Sequence, residues 1–285
     1  MTSKQLIWLI TGTSTGIGKE LCFAALQRSD KVIATARNVD KIDPTLREKG
    51  AKVFQLDIID SLENLKKIAN EAITIYGRID VLVNNTGYIA LGSIEEETPE
   101  STFQQYNVGV FGPLNVVRAF LPSMRERKSG TLIFFGSQGG WTGLPGCRLY
   151  CGTKSAIRAS AETLSHELAP SGIKVYCIEP GAFRTAALSP EHRQDFESKI
   201  ADYKHVTVFV QANLINSDGK QPGDPRKLSE VVVDLARGEG AVKGRGLLTV
   251  ALPLGRDARG LVEGVVGRME KTLTEWQDVI ESTDI

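Results

Sequence analysis

A tyrosine and a lysine lie four residues apart in the stretch LYCGTK, residues 149–154, near the middle of the chain. If this segment is helical, Tyr150 and Lys154 leave the same face, about one turn apart. A phenol beside an ammonium group can act as a proton donor, but Tyr and Lys at this spacing are also common on helix surfaces. The spacing leaves both interpretations open, so the surrounding elements must decide between them.

The composition limits what this pair can belong to. The chain has 285 residues, of which 41% are hydrophobic, and its 34 basic and 34 acidic residues give a net charge of zero. This is enough apolar material for a large core. The charge balance and the lack of a basic cluster argue against nucleic acid or an anionic membrane as the main partner. A small-molecule substrate is therefore favoured.

Cysteine usage and the N-terminal segment favour a cytoplasmic protein without a membrane span. The four cysteines show no C-x-x-C pair, which predicts reduced thiols. The N-terminal apolar run, residues 6–10, is too short for a signal-peptide core or a membrane span. The three histidines are scattered along the chain, so the sequence predicts no metal site.

Short β-branched apolar runs alternate with longer segments of helical period along the first two-thirds of the chain. The predicted strands are residues 6–10, 31–35, 52–56, 80–84, 131–135 and 174–178. The predicted helices are residues 16–28, 61–76, 100–126 and 150–169. Strands that are apolar on both faces need cover on both sides. The alternation therefore predicts a doubly wound α/β fold, a Rossmann-type parallel sheet of about seven strands with helices on both faces.

The last third of the chain breaks this rhythm without a linker, so residues 1–285 are interpreted as a single domain. Residues 182–224 form a long insertion that ends in the turn-forming stretch GKQPGDP, which is typical of a lid or binding loop. A helix is predicted at 225–237, a strand at 247–251, and an amphipathic C-terminal helix at about 256–280.

A glycine-rich turn, TGTSTGIG at residues 11–18, follows the first predicted strand and opens a helix. Glycines permit a tight turn close to a pyrophosphate, and the helix N-terminus offers free N–H groups and a positive dipole end. Because a strand precedes and a helix follows, the pattern indicates nucleotide binding more than a plain turn. The predicted cofactor-binding residues in this turn are Gly12, Ser14, Thr15, Gly16, Ile17 and Gly18.

Residues at the ends of the next three strands extend this prediction. Arg37 follows the second strand, at a position where an arginine suits a 2′-phosphate and an acidic residue suits a free 2′-hydroxyl. Arg37 therefore indicates NADP(H), and the alternative is a solvated arginine at a strand end. Asp57 is expected to accept from the adenine amino group or to cap its own turn. Asn84 and Gly87 are expected to face the cofactor crevice or to form a simple turn.

Six motifs in this order resemble the short-chain dehydrogenase/reductase family from residue 6 to about 185. They are TGTSTGIG (11–18), NNTG (84–87), Asn107, Ser137, YCGTK (150–154) and Pro180-Gly181. The stretches ATARN, VFGPLNVVRAFLP and GKQPGDP are similar to the branch that contains 17β-hydroxysteroid dehydrogenases. Two positions depart from the common pattern, namely Thr86 and the Gly152-Thr153 pair inside the tyrosine motif.

The resemblance implies a catalytic set of Asn107, Ser137, Tyr150 and Lys154. Tyr150 is expected to donate a proton to the substrate oxygen, with Lys154 lowering the phenol pKa and holding the nicotinamide ribose. Ser137 is expected to fix the substrate oxygen, and Asn107 to interrupt a helix and hold a relay water, or simply to cap the next helix.

The same resemblance adds further cofactor-binding residues. Tyr150 and Lys154 are expected to contact the cofactor as well as the substrate. The segment after the sixth predicted strand is expected to close over the nicotinamide amide. Its predicted contact residues are Pro180, Gly181, Phe183 and Thr185.

These inferences predict an NADPH-dependent reductase of a largely apolar ketone or aldehyde of aromatic, polyketide, terpenoid or steroid size. The apolar side chains expected to line the cleft are Phe183, Phe196, Tyr203, Val206, Val208 and Phe209. Arg148 and Arg184 are expected near its mouth. The alternatives are an NAD-linked secondary alcohol dehydrogenase, a non-catalytic NADP(H)-binding redox sensor and, less well fitted, a sugar-nucleotide epimerase. The resemblance also implies a homodimer or homotetramer.

Overall fold

The computed structural model describes residues 4–147, 149–189, 196–245, 248 and 250–285. The strands are β1 (Ile7–Ile10), β2 (Lys31–Ala36), β3 (Lys52–Gln55), β4 (Val81–Asn84), β5 (Gly130–Phe135), β6 (Ile173–Pro180) and β7 (Ala251–Leu254). The helices are α1 (Gly16–Gln27), α2 (Pro44–Glu48), α3 (Leu62–Tyr76), α4 (Pro99–Tyr106), α5 (Gly112–Glu126), α6 (Tyr150–Leu168), α7 (Lys204–Ser217), α8 (Pro225–Arg237), α9 (Arg256–Glu275) and α10 (Gln277–Glu281). Within the described residues the seven strands form one parallel sheet in the order β3-β2-β1-β4-β5-β6-β7.

Helices cover both faces of this sheet, and the strands are apolar because neither face meets water. In β1, Ile7 and Leu9 pack in the same cluster as residues of α3, α5 and α6. Trp8 and Ile10 pack in the opposite cluster with residues of α1, α2 and α8. None of these four side chains is more than 4% exposed. The predicted doubly wound α/β fold is confirmed.

The order of the strands creates a crevice between β1 and β4. The chain builds the sheet outward from β1 to β3 and then returns to place β4 on the other side of β1. The loops after β1 and β4 therefore diverge at the carboxyl edge of the sheet, where open α/β sheets bind ligands. This topology brings the glycine-rich turn and Asn84 to the same edge.

The predicted helix at 100–126 is interrupted. A π-helical turn, Asn107–Phe111, separates α4 from α5. A Cβ atom on Gly109 would lie 2.8 Å from the Cβ of Thr153, so the turn packs directly against α6. Turns of this kind often mark functional sites because they re-aim the side chains around them.

The strand predicted at 247–251 is wrong in position. The last strand, β7, runs from Ala251 to Leu254 and pairs with Cys177–Pro180 of β6, whereas residues 246, 247 and 249 lie outside the described part. Strand β7 contains Pro253, which has no backbone N–H to donate to the ladder. In the described sheet β7 is the edge strand, where a missing N–H is tolerated on the open side.

The end of the chain carries an exposed apolar stripe. After Ala258, which is fully buried, α9 leaves the body of the protein and most of its residues are exposed. Large exposed side chains along α9 and just beyond it are Val266, Met269, Leu273 and Trp276. None of the helices in the described ranges is both long and apolar enough to span a bilayer.

The contact between Gly109 and α6 generates a stability prediction. Gly109→Ala is expected to lower the free energy of unfolding by about 1–3 kcal/mol, because the new methyl group overlaps the Thr153 side chain. Gly267→Ala in α9, where nothing lies within 4 Å of a built Cβ, is the control and is expected to be neutral or stabilising by up to about 1 kcal/mol. Urea unfolding measures both, and equal midpoints for the two variants would contradict the packing account.

Candidate active site

The glycine-rich turn between β1 and α1 needs glycine for two separate reasons. Gly12 and Gly16 have φ angles of +68° and +61°, in the left-handed region that favours glycine. A Cβ atom on Gly18 would overlap the Asn85 side-chain amide and the Gly12 carbonyl oxygen. The first two glycines are therefore set by backbone conformation and the third by close approach.

Asn85 holds this turn in place, a role that no residue pattern in the sequence marks. Its side-chain Nδ2 donates to the carbonyl oxygens of Thr11, at 3.0 Å, and Gly12, at 2.9 Å. Its backbone N–H donates to Thr11 Oγ1 at 3.0 Å. Its one sequence signal is its place in NNTG, where the prediction named the neighbouring Asn84.

The first turn of α1 is open to an anion. Thr15 is the N-cap residue, and within the described part of the chain its side chain makes no capping hydrogen bond. Ser14 and Ile17 are half-buried and Thr15 is exposed. A helix N-terminus with free N–H groups attracts negative charge, so this end of α1 fits a pyrophosphate.

Asn84, Asp57 and Arg37 lie at or just beyond the carboxyl ends of β4, β3 and β2, and β1 separates β4 from the other two strands. The Asn84 side chain is 5% exposed, and neither its Oδ1 nor its Nδ2 has a hydrogen-bond partner among the described residues. Such an orphaned amide is suited to a bound polar molecule. Asp57 Oδ1 accepts from Ile59 N–H at 3.2 Å, the capping role considered as its alternative. Arg37 is exposed immediately after β2.

Ser137, Tyr150 and Lys154 come together at the carboxyl end of β5. A Cβ atom built on Gly139 would lie 3.5 Å from Ser137 Oγ and 3.6 Å from Tyr150 Cε1. Lys154 Nζ lies 5.6 Å from the centre of the Tyr150 ring and donates to the Phe135 carbonyl oxygen at 2.7 Å. Asn107 is half-buried at the start of the π-helical turn that packs on α6.

Burial dominates the protonation of the tyrosine and the lysine. It raises the pKa of Tyr150 to about 12, against a smaller lowering by the Ser137 side chain. It lowers the pKa of Lys154 to about 8. The shift of Tyr150 is opposite to the expected lowering by Lys154, because burial of the phenol dominates and the neighbouring Cys151 and Cys147 raise its pKa further. Tyr150 is therefore a protonated acid at neutral pH.

A buried carboxylate, Glu179, holds the loop that follows Ser137. Trp141 Nε1 donates to Glu179 Oε2 at 2.5 Å, and the Arg158 guanidinium lies 4.0 Å from the centre of the Trp141 ring. Arg158 Nε is 3.9 Å from Glu179 Oε1. Burial raises the pKa of Glu179, while Trp141 and Arg158 oppose the rise. The Ser137 loop is thus tied to the strand that leads into Pro180.

The segment Pro180–Thr185 lies between the glycine-rich turn and the start of α9. Gly181 N–H donates to the Leu254 carbonyl oxygen at 2.9 Å, and Asp257 of α9 accepts from Ala182 N–H at 2.6 Å. The Phe183 ring occupies the space above Gly223, where a Cβ would lie 2.5 Å from Phe183 Cδ1. A Cβ on Gly16 would lie 3.5 Å from Thr185 Cβ, so the two predicted cofactor loops face each other.

A second carboxylate, Glu96, fastens the segment that leads into α7. It accepts hydrogen bonds from Ser93 Oγ, from Ser198 Oγ, and from the backbone N–H groups of Lys199 and Ile200. These bonds, led by the one from Ser93, lower the pKa of Glu96 to about 2. The segment beneath α7 is therefore held by one ionised side chain.

The apolar residues of the insertion divide into two groups. Phe196 lines a small cavity of about 10 Å³ together with Leu91, Gly92, Gly146, Thr207, Val210 and Gln211. Val208 and Phe209 are 66% and 67% exposed, so the expectation that they line a cleft is wrong in this structure. They lie on the outer side of α7. Arg184 donates to the Gln221 carbonyl oxygen at 3.1 Å, and Arg148 lies outside the described residues.

The sequence profile of the short chain dehydrogenase family matches residues 6–195, two-thirds of the chain. The chain belongs to the short-chain dehydrogenase family. An oxidoreductase of the fungus Botryotinia fuckeliana, BOA17, is 32% identical over 230 residues, which is 80% of this short-chain dehydrogenase and 83% of the relative. The match supports an oxidoreductase, while the 17β-hydroxysteroid dehydrogenase branch stays a prediction.

Two further relatives of this short-chain dehydrogenase are informative. The crystal structure of a short-chain dehydrogenase from Streptomyces avermitilis is 34% identical, covers 99% of each chain and superposes with a TM-score of 0.84. A 3-ketodihydrosphingosine reductase of Bacteroides thetaiotaomicron is 30% identical over 79% of this chain and 81% of its own.

The Glu96 contacts of this short-chain dehydrogenase generate a prediction with a pH dependence. The pKa of Glu96 in the folded protein lies below its ordinary value of 4.5. The ionised carboxylate therefore stabilises the hydrogen-bonded segment at Lys199 and Ile200 above pH 4.5, and this stabilisation is lost as the pH falls through about 2. Glu96→Gln is expected to speed amide exchange at Lys199 and Ile200 about tenfold at pH 6.

Hydrogen exchange of the full chain measures this effect. Glu100→Gln, an exposed carboxylate in the first turn of α4, is the control and should leave these amides protected. Unchanged protection in Glu96→Gln at pH 6 would show that other contacts hold the segment.

Proposed function

We propose that this protein is an NADPH-dependent reductase that converts the carbonyl group of a largely apolar ketone or aldehyde to an alcohol. The observation that carries the proposal is the convergence of Ser137, Tyr150 and Lys154 beside a crevice that begins at the glycine-rich turn. Membership of an oxidoreductase family supports the reaction class.

The crevice fits a nicotinamide dinucleotide. The glycine-rich turn and the open end of α1 would hold the pyrophosphate, and the orphaned Asn84 amide offers polar groups on the way to the nicotinamide end. Lys154 Nζ, 3.5 Å from a Cβ built on Gly87, would meet the nicotinamide ribose, and the Pro180–Thr185 segment would close over the ring. When bound, the reduced cofactor supplies the hydride that the carbonyl carbon accepts.

The protein's own groups handle the oxygen of the carbonyl. The Ser137 hydroxyl orients this oxygen by a hydrogen bond. Tyr150 transfers its phenolic proton to the same oxygen as negative charge develops on it, which completes the alcohol. The Lys154 ammonium stabilises the phenolate that remains. Asn107, on the π-helical turn against α6, serves the return of a proton to this pair.

An apolar substrate is supported by two observations. Leu91, Phe196 and Val210 line the small cavity beneath α7, and this aliphatic and aromatic wall suits an apolar substrate that widens a space with room for about one water molecule. A relative that shares 30% identity is named as the reductase of a long-chain ketone, 3-ketodihydrosphingosine. Assembly as a homodimer or homotetramer and residence in the cytoplasm stay predictions.

Replacement of the phenol tests the assigned chemistry. Tyr150→Phe is expected to lower kcat for ketone reduction by at least about 10²-fold, because a positioned general acid is lost, and to leave NADPH binding within about twofold. NADPH oxidation is followed with a panel of apolar ketones and aldehydes, and binding by fluorescence titration. Tyr76→Phe on α3 is the control with unchanged activity. Full activity of Tyr150→Phe would refute the mechanism, and binding without any turnover in the native protein would favour a redox sensor.

Cofactor choice depends on Arg37. Arg37→Ala is expected to raise the KM for NADPH by about 10- to 100-fold while changing the KM for NADH little, since an arginine–phosphate hydrogen bond is lost. Arg47→Ala on α2, also an exposed arginine, is the control. Equal effects on both cofactors, or a native preference for NADH, would instead support the NAD-linked alcohol dehydrogenase.

A further inference from the structure

Two of the four cysteines flank Tyr150, and neither has a part in the proposed reaction. Cys147 lies three residues before Tyr150, whose backbone N–H donates to the Cys147 carbonyl oxygen at 2.9 Å. Cys151 directly follows Tyr150 in the first turn of α6. This turn and the start of α6 bring Cys151 back beside Cys147, four residues earlier in the chain, and each thiol is the leading influence on the pKa of the other. Both are free thiols, Cys151 buried and Cys147 half-buried.

The pair lies within the catalytic centre. The point 3.5 Å from Ser137 Oγ and 3.6 Å from Tyr150 Cε1, where a Cβ on Gly139 would be, is 3.3 Å from Cys151 Sγ. Cys147 forms a backbone bridge with Gly92, and a Cβ on the preceding Gly146 would lie 2.9 Å from Val210 of α7. A covalent change at these sulfurs therefore meets both the proton donor and the wall of the substrate space.

The thiols differ in reactivity. The hydrogen bond from Cys147 lowers the pKa of Cys151 to about 7, whereas the same contact and burial raise the pKa of Cys147. Burial raises the pKa of Cys22, and it raises that of Cys177 to about 12. Since the thiolate is the reactive form, Cys151 is the nucleophilic member of the four.

We propose that Cys147 and Cys151 form an oxidation site, at which a hydroperoxide converts the two thiols to a disulfide that disables the active site and that a dithiol reduces again. The existence of the site stands on the thiol pair alone. Its inhibitory effect rests on the proposed reductase function.

The oxidation is balanced in two steps. The Cys151 thiolate attacks the terminal oxygen of the hydroperoxide, so that an S–O bond forms, the O–O bond breaks and an alcohol leaves with the proton that the thiol gave up. The Cys147 thiol then attacks the sulfenic sulfur, an S–S bond forms, and the hydroxyl leaves with the Cys147 proton as water. The thiols lose two electrons and two protons, and the peroxide yields an alcohol and water.

The disulfide would close a short backbone loop that contains Tyr150. A disulfide holds its two sulfur atoms about 2.0 Å apart, and Tyr150, whose phenol must meet the substrate oxygen, lies between the two cysteines in the chain. A small displacement of this phenol lowers the rate of proton transfer, because the phenol must lie within hydrogen-bond distance of the substrate oxygen.

Peptide mapping of the full chain tests the site without any activity assay. Trypsin cleaves after Lys128, Arg148 and Lys154, so peptides 129–148 and 149–154 stay joined only if Cys147 and Cys151 are bonded. After treatment with hydrogen peroxide and unfolding, the free thiols are expected to fall from four to two, with Cys22 and Cys177 still alkylated. Four remaining thiols, or a linkage through Cys22 or Cys177, would overturn the proposal.

Single replacements separate the roles of the two sulfurs. Cys147→Ser is expected to prevent the linkage and to leave a sulfenic acid on Cys151 that dimedone captures, whereas Cys151→Ser should yield neither product. Capture at Cys147 in the Cys151→Ser variant would overturn the assignment of the nucleophile.

The activity readout is kept apart from the mapping. In the native protein, NADPH-linked ketone reduction is expected to fall at least about tenfold as the linked peptides appear, and to return with dithiothreitol. The Cys151→Ser variant, which should form neither the sulfenic acid nor the disulfide, is expected to keep its activity through the same peroxide treatment. Full activity of the linked protein would overturn the inhibitory role, and absent activity before oxidation would count against the reductase function instead.

Discussion

The hydrogen bonds from the Asn85 amide to the Thr11 and Gly12 carbonyl oxygens join the loops after β1 and β4 where the sheet changes its direction of winding. The rest of the site depends on this contact, because it fixes the glycine-rich turn and leaves no room for a side chain at Gly18. The position of this turn determines where α1 begins, and Thr185 lies opposite that helix end, next to Gly16. A crevice for an extended anionic ligand follows from one side-chain amide and three glycines.

Burial then decides the charge states around that crevice. Tyr150 and Lys154 shift in opposite directions, since removal of water disfavours the phenolate and the ammonium alike. The resting site therefore holds a protonated phenol beside a lysine that titrates close to neutral pH. For a reductase this is the useful arrangement, because the acid is ready and its conjugate base gains stabilisation only when negative charge has formed.

Local signals predicted much of this from the sequence. The apolar runs gave correct strands because both faces of the sheet are covered, and the glycine-rich turn gave the first helix because each glycine answers a local need. Strand β7 was misplaced because an edge position, which makes Pro253 acceptable, is a property of the whole sheet. The candidate catalytic residues come from a resemblance, and the convergence of Ser137, Tyr150 and Lys154 is a matter of topology.

Long-range polar pairs had no such signal. Glu96 and Ser198 are 102 residues apart, and Trp141 and Glu179 are 38 apart, with neither pair marked by a local pattern. The sequence likewise does not predict that Val208 and Phe209 are exposed, because α7 has no clear apolar face from which its orientation could be inferred. Tertiary contacts alone decide which carboxylates hold a distant segment in place and which apolar residues line a cavity.

The departure from the family pattern at Gly152-Thr153 finds its explanation in the contact between α6 and the interrupted helix. Thr153 fills the space over Gly109, and its hydroxyl donates to the Tyr150 carbonyl oxygen at 2.7 Å. In the other direction, Gly152 leaves room for Tyr106, whose hydroxyl would lie 2.7 Å from a Cβ at that position. A glycine of each segment thus makes room for a larger side chain of the other, Gly109 for Thr153 and Gly152 for Tyr106. Because Asn107 lies between Tyr106 and Gly109, this reciprocal packing holds it against α6, so residues outside the candidate catalytic set position one of its members.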